Sequence, residues 1–353
     1  LGFSIQKFFK DIHTCSLPVS ISQLQTIMKI PGVKKVFLDR EVFALLDTAT
    51  PTVKAPLIWS HGNEGKDATI AIIDTGIAPH PDLKSRIIGF YDLVHNKQKP
   101  YDDNGHGTHC AGCAAGDGSQ SNGKYRGVAP KAPVVGVKVL NRYGSGMLST
   151  VIAGIEWCIK HKDEYNIRVI SLSLGSNATN SYQDDPVCQM VELAWKAGIV
   201  VVAAAGNQGP GSKTISSPAN HPLIISVGAT DDQKTIDFSD DHVAEFSSRG
   251  PTLDGFVKPD IVAPGTDIIS LRSKCSFLDR SMNQNRIGKH YFRLSGTSMA
   301  TPIVAGVVSL ILTSHPNLSP DQVKEKLMQT ARSLNQSPTD QGAGLIDAEQ
   351  ATL

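Results

Sequence analysis

Apolar positions along this chain gather into short, nearly unbroken runs. "ATIAIID" (68–74), "VVGVKVL" (134–140), "VISLSLG" (169–175), "IVVVAAAG" (199–206) and "LIISVGA" (223–229) show little polar alternation. Such runs predict strands buried on both faces, as in a parallel sheet covered by helices. Between them, "MLSTVIAGIEWCIKH" (147–161) and "PVCQMVELAWKAG" (186–198) have helical spacing. From Thr301 the run "TPIVAGVVSLILTSHP" predicts a buried helix, with Pro302 in its first turn, where no intrahelical donor is lost. Strands alternating with helices make the fold α/β around a mostly parallel central sheet. In such folds chemistry collects at the carboxyl ends of the strands.

Pattern and charge change near residue 46. Residues 1–46 carry Lys7, Lys10, Lys29, Lys34, Lys35 and Arg40 against Asp11, Asp39 and Glu41, a balance of +3 that leaves −2 for the remainder. Within this piece "SISQLQTIMKIPGV" predicts a short amphipathic helix ending before Pro31 and Gly32, and "KKVFLDREVFALL" predicts strand, turn and strand. So small an α/β module has little core of its own. "DTATPTVKAP" (47–56) then reads as a Pro/Thr linker.

Composition narrows the function classes. With 34 Lys+Arg against 33 Asp+Glu, nothing favours a nucleic-acid partner. The longest apolar runs are too short to span a bilayer, so no membrane association is expected. The six cysteines make no dense disulfide framework, and the C-x-x-C of Cys110 and Cys113 lacks a second pair at metal-ligand spacing. Buried free thiols and the lack of a visible signal peptide favour a cytoplasmic location over a secreted one.

Ser298 lies in "LSGTSMATPIVAG", directly before the apolar helix, where free amides and the helix dipole favour developing negative charge. A serine hydroxyl is inert without a base and an orienting carboxylate. Asp74 ends the apolar run "AIID", and His106 opens the small-residue stretch of "DDNGHGTHCAG". Asp, His and Ser in that chain order match one known serine-protease arrangement.

With "IIDTGI", "DDNGHGTHCAG", "VISLSLGS", "AAAGNQG" and "SGTSMATP" in this order, the chain resembles the subtilisin-like serine proteases, and among them the AprX-type branch, over nearly all of residues 47–353. The resemblance implies a subtilisin-like three-layer sandwich and a broad-specificity serine endopeptidase. It implies Asp74 as orienting acid, His106 as general base, Ser298 as nucleophile and Asn207 as the side-chain donor of the oxyanion hole. Gly144, Ser145 and Gly146, with Ser173, Leu174 and Gly175, resemble the strands that flank an extended peptide. Ala204, Ala205 and Gly206 are expected to line an S1 pocket for an apolar P1 residue. Leu148, Val151 and Leu174 are expected at S4, and Leu140 at S2.

The amino-terminal module then resembles an inhibitory propeptide, with autocleavage expected between Leu46 and Asp47, Leu46 at P1 and Phe43 at P4. Asp82 matches a family calcium ligand beside the loop "GDGSQSNGKYRG" (116–127), and the insert "NATNSYQDDP" (177–186) is a second oxygen-rich candidate for Ca²⁺. The expected partners are protein or peptide substrates and the chain's own propeptide, on a monomer. The segment 272–292 is longer than in the shortest relatives and has no role legible in the sequence. A catalytically silent regulator that retains its propeptide is the alternative reading. An acid-acting serine-carboxyl peptidase is disfavoured, because it needs carboxylates where this chain has His106 and Asn207.

Overall fold

The computed structural model describes residues 7–9, 14–34, 36 and 49–353. Two compact units divide the chain, Leu1–Ala44 and Leu45–Leu353. In the first, strands β1 (Lys7–Phe9) and β2 (Thr14–Ser16) pair antiparallel, a feature too short to leave a period in the sequence. Helix α1 (Ile21–Met28) follows and stops short of Pro31 and Gly32 as expected. The strand–turn–strand expected over 34–46 lies outside the described residues except at 34 and 36, and Phe43, Leu46 and Asp47 lie outside them too.

The expected linker is instead structured. It carries α2 (Ala49–Thr52) and the start of α3 (Ala55–Ser60). Ala49, Val53 and Ala55 are wholly buried, and Lys54 pairs with Asp347 at 2.7 Å. Tertiary burial thus overrides a composition that locally favours turns.

The larger unit then alternates strand and helix: β3 (Thr69–Asp74), β4 (Ile87–Asp92), α4 (His106–Ala115), β5 (Val134–Lys138), α5 (Leu148–Lys160), β6 (Ile167–Leu172), α6 (Pro186–Lys196), β7 (Val200–Ala204) and β8 (Ile225–Asp231). After β9 (His242–Val243) and β10 (Ile261–Pro264) the chain makes a small antiparallel sheet of β11 (Ile268–Leu271), β12 (Arg286–Ile287) and β13 (Tyr291–Leu294), with α7 (Phe277–Ser281) inserted. Helices α8 (Thr297–Ser314), α9 (Pro320–Gln329), α10 (Pro338–Gln341) and α11 (Ala348–Thr352) close it. The main sheet runs β4-β5-β3-β6-β7-β8-β10, all parallel, with β9 antiparallel on β8. The half-exposed β4 was not foreseen, because an edge strand lacks the unbroken apolar run of a central one.

Helices cover both faces. Gly154 of α5 packs toward Ile73, whereas Gly107 of α4 packs toward Asp74, the next residue of β3. Successive strand residues point to opposite faces, so α4 and α5 lie on opposite sides of the sheet. Helix α8 joins α4 on its side and packs across β6, β7 and β8. At 18 residues α8 is longer than the apolar run read from sequence, and it is long and apolar enough to cross a membrane. Its residues are mostly buried within the protein, as in a core helix.

Candidate active site

Strand β3 delivers Asp74, wholly buried, to the carboxyl edge of the sheet, and α4 begins there at His106. His106 Nδ1 lies 2.8 and 2.9 Å from the two Asp74 oxygens. The Thr75 N–H donates to Asp74 Oδ1 at 2.6 Å and fixes the carboxylate. So close an approach of α4 to β3 needs Gly107, since a Cβ there would fall 2.2 Å from the Gly76 carbonyl oxygen. Asp102 joins the two segments. Its Oδ1 accepts from Thr75 Oγ1 (2.9 Å) and from the amides of Asn104 and Gly105, and its Oδ2 accepts from Thr108 N and Oγ1.

Ser298 is the second residue of α8, which starts four residues before the expected point. Pro302 is therefore in the helix interior and not in its first turn. Having no N–H, Pro302 leaves the carbonyl of Ser298, four residues back, without an intrahelical donor. Ser173 Oγ at 2.8 Å and Cys110 Sγ at 3.4 Å donate to that carbonyl instead. The Ser298 hydroxyl donates in turn to the Ser173 carbonyl at 3.2 Å. Asn207 Oδ1 accepts from Thr297 N (2.9 Å) and Thr297 Oγ1 (3.0 Å), an anchor that turns the side-chain NH₂ away from Thr297.

Burial alone would pull the His106 pKa down, but the adjacent Asp74 carboxylate reverses this and holds it well above the usual histidine value. His109, one turn on, is structural. Its Nε2 donates to the Ile268 and Phe292 carbonyls, and burial followed by repulsion from His106 lowers its pKa to about 3. Lys138 ends β5 opposite Asp74 and is wholly buried. Its ammonium donates to the Thr75 and Leu140 carbonyls and to Asp103, at 2.6, 2.9 and 2.7 Å, tying the Asp74 turn to the wall of the cleft.

A cleft of about 490 Å³ runs past His106, and Leu140, Gly144, Ser145, Gly146, Leu148, Val151, Ser173, Leu174 and Gly175 all line it. A second cavity of about 380 Å³ opens beside Ser298 and Asn207, lined by Ala204 and Gly206. Ala205 does not line it. The expected pocket position is corrected by alternation: Ala204 and Gly206 face the cavity, and Ala205 turns into the core, wholly buried. Several lining residues escaped the sequence reading. Ser216, Asn177 and Gln208 make the smaller cavity more polar than expected, though uncharged. Tyr143 and Leu278 add apolar walls to the larger one. Leu278 belongs to the segment 272–292, whose α7 is held to the His106 loop by Phe277 N–H to the Asp103 carbonyl (2.8 Å) and Leu278 N–H to the Asn104 carbonyl (2.9 Å). A lysine within the apolar run "VVGVKVL" was the one legible signal of Lys138.

The expected calcium site does not fit the residues present. Asp82 is wholly buried, and its oxygens accept from Ser119 Oγ (3.1 Å), Gln120 N (3.0 Å) and Tyr291 OH (2.6 Å). Those donors take three of the roughly four lone-pair sites of the carboxylate and leave little for a cation. In the insert 177–186, Asp185 caps α6 through the Val187 amide and accepts from Ser217 Oγ, so it too is engaged. Among the described residues, Asp74, His106 and Cys110 bring possible metal-binding atoms within 4.8 Å of one another, but a set containing nitrogen and sulfur does not suit Ca²⁺.

Comparison with known proteins places this geometry in context. Residues 65–344 match the model of the subtilase family. The chain is similar to serine protease AprX of Bacillus subtilis (strain 168), 51% identical over 352 residues that cover 97% of this chain and 80% of that protein. It is 35% identical over 357 residues to subtilisin E of the same strain, covering 99% of this chain and 83% of that one. A thermostable alkaline protease of Halalkalibacterium halodurans is 34% identical over 351 residues, covering 98% and 84%.

Proposed function

Because this chain belongs to the subtilase family and is a subtilisin-type serine endopeptidase, we propose that it cleaves peptide bonds through Asp74, His106 and Ser298 by way of an acyl-enzyme. The observation that carries this reading is the hold of Asp74 on His106 Nδ1 at 2.8 Å, which keeps the proton on Nδ1 and leaves Nε2 as the base. Ser298 Oγ turns from the Ser173 carbonyl, attacks the scissile carbonyl carbon and gives its proton to His106 Nε2. The tetrahedral oxyanion accepts from the Asn207 side-chain amide and the Ser298 N–H. His106 then protonates the leaving nitrogen as the C–N bond breaks. A water, deprotonated by His106, releases the acyl group and restores Ser298. Loss of one side-chain oxyanion donor costs about 10²–10³ in kcat, a magnitude itself measured in a subtilisin.

The cleft supports an extended peptide between Gly144–Gly146 and Ser173–Gly175, with main-chain pairing that reads little sequence. Leu148, Val151 and Leu174 favour an apolar P4 residue. The cavity beside Ser298 is uncharged, which favours an uncharged P1, while Ser216, Asn177 and Gln208 leave room for a polar residue there beside the apolar one expected. Residues 1–46 act as an inhibitory propeptide, removed by cleavage after Leu46, on a monomeric enzyme. Mass spectrometry of the chain beside its Ser298→Ala variant, with a fluorophosphonate label, tests both parts. The wild type should take the label and split near Leu46, and the variant should do neither. A label on the variant would overturn the assignment of the nucleophile. Labelling of a wild type that never splits would overturn the propeptide alone.

A further inference from the structure

Segment 272–292 is folded onto the turn that leads into His106. Ser273 Oγ donates to the Asp102 carbonyl at 2.7 Å, Phe277 N–H to the Asp103 carbonyl at 2.8 Å and Leu278 N–H to the Asn104 carbonyl at 2.9 Å. The segment is also locked within itself. Asp279 is 3% exposed and accepts from Arg272 Nε (2.6 Å), Arg286 Nε (2.7 Å) and the Cys275 amide (2.9 Å). This rigid seat presents two half-buried apolar side chains, Phe277 and Leu278. Phe277 meets the Tyr143 ring edge-on, with centroids 5.3 Å apart, and Asn104 Nδ2 donates to the neighbouring Arg142 carbonyl at 2.9 Å. Leu278 and Tyr143 line the larger cleft together with Asn104, His106 and Leu140. Tyr143 is 65% exposed, which leaves its ring open to a ligand side chain.

In an extended peptide, successive side chains point to opposite sides. On the cleavage reading proposed above, on which this inference rests, P1 enters the cavity beside Ser298 and Asn207. P2 then points the other way, toward His106 and the walls supplied by Leu140, Tyr143 and Leu278. We propose that segment 272–292 sets the P2 preference of the enzyme. Leu278 and Tyr143 close an apolar slot that takes a leucine-sized side chain and rejects a charged one. Both walls are fixed before the peptide arrives, so the contact costs little ordering. A charged P2 group would lose hydration against three apolar walls without gaining a partner. Lys138 and Asp103, the ion pair beside this wall, are already committed to each other at 2.7 Å.

Fluorogenic peptides with Phe at P4, Leu at P1 and Leu, Ala, Glu or Lys at P2 test this through ratios of kcat/KM. A merely structural loss would lower all four rates together and leave the ratios unchanged. Wild type should favour Leu at P2 over the other three. Leu278→Ala should shrink the preference for Leu over Ala by about tenfold, the scale set by apolar contacts in a specificity pocket. Tyr143→Ala should shrink it in the same direction. Leu278→Lys should turn the preference toward Glu at P2, ahead of both Leu and Lys. The seat on Asn104 is made by the Leu278 backbone, so both Leu278 replacements retain it. Wild-type ratios in both Leu278 variants would overturn the proposal, as would a wild type that does not favour Leu at P2. Failure to cleave any of the peptides would overturn the cleavage reading itself, and the P2 preference with it.

Discussion

At the scale of single residues, Asp74 and His106 would set the pH behaviour of the proposed mechanism. Asp74 raises the His106 pKa above the ordinary value of about 6.5, against the opposing effect of burial. Below that raised pKa the imidazole is protonated and cannot accept the Ser298 proton, so kcat/KM should climb with pH through a limb above 6.5. Asp74→Asn removes the raising charge and leaves burial unopposed. Its limb should move down, and its rate should fall by about 10⁴. Measuring kcat/KM against pH for both proteins on one peptide substrate checks this, and a limb that stays in place would contradict it. The residues proposed to carry the chemistry could be named from the sequence because Asp, His and Ser stand in fixed motifs. The residues that hold them could not. Asp102 is the first of three polar residues shortly before His106, and only the fold reveals that five donors converge on it.

Among elements, the starts of α4 and α8 decide the geometry. Helix α4 can press on β3 only because residue 107 lacks a side chain. Gly107→Ala would bring a Cβ to 2.2 Å from the Gly76 carbonyl and 3.1 Å from Asp74 Oδ1, so the helix must retreat and carry His106 with it. Overpacking of this kind costs about 1–3 kcal/mol. We expect a loss of stability of that order in urea, with a drop in kcat larger than any change in KM. Normal kcat in this variant would show that the helix start tolerates movement. Helix α8 uses the opposite device, a proline that withholds an N–H. The Ser298 carbonyl freed by Pro302 is held by Ser173 from the cleft strand and by Cys110 from α4, so three segments meet on one peptide group. Sequence reading placed Pro302 one turn wrong because a helix N-terminus made of Gly, Thr and Ser looks like loop.

Over the whole molecule, α8 is the central support of the larger unit. Leu310 is wholly buried there, twelve residues beyond Ser298. Leu310→Ala should cost about 2–5 kcal/mol of stability. Below its unfolding temperature the variant should keep kcat and KM close to wild type, because the cavity forms away from the cleft. Denaturant unfolding beside steady-state kinetics would check both halves, and a large fall in kcat in fully folded protein would contradict the second. The sequence by itself determined the layered α/β architecture, since unbroken apolar runs are buried between two helical layers, and it singled out the residue types proposed to react, since their chemistry depends on functional groups. Only tertiary structure decided that Ala49–Thr52 and Ala55–Ser60 fold into helices on the core, that Ala205 faces inward and that three protein donors engage Asp82. Those outcomes depend on which groups distant in sequence meet in space, and neither periodicity nor composition records that meeting.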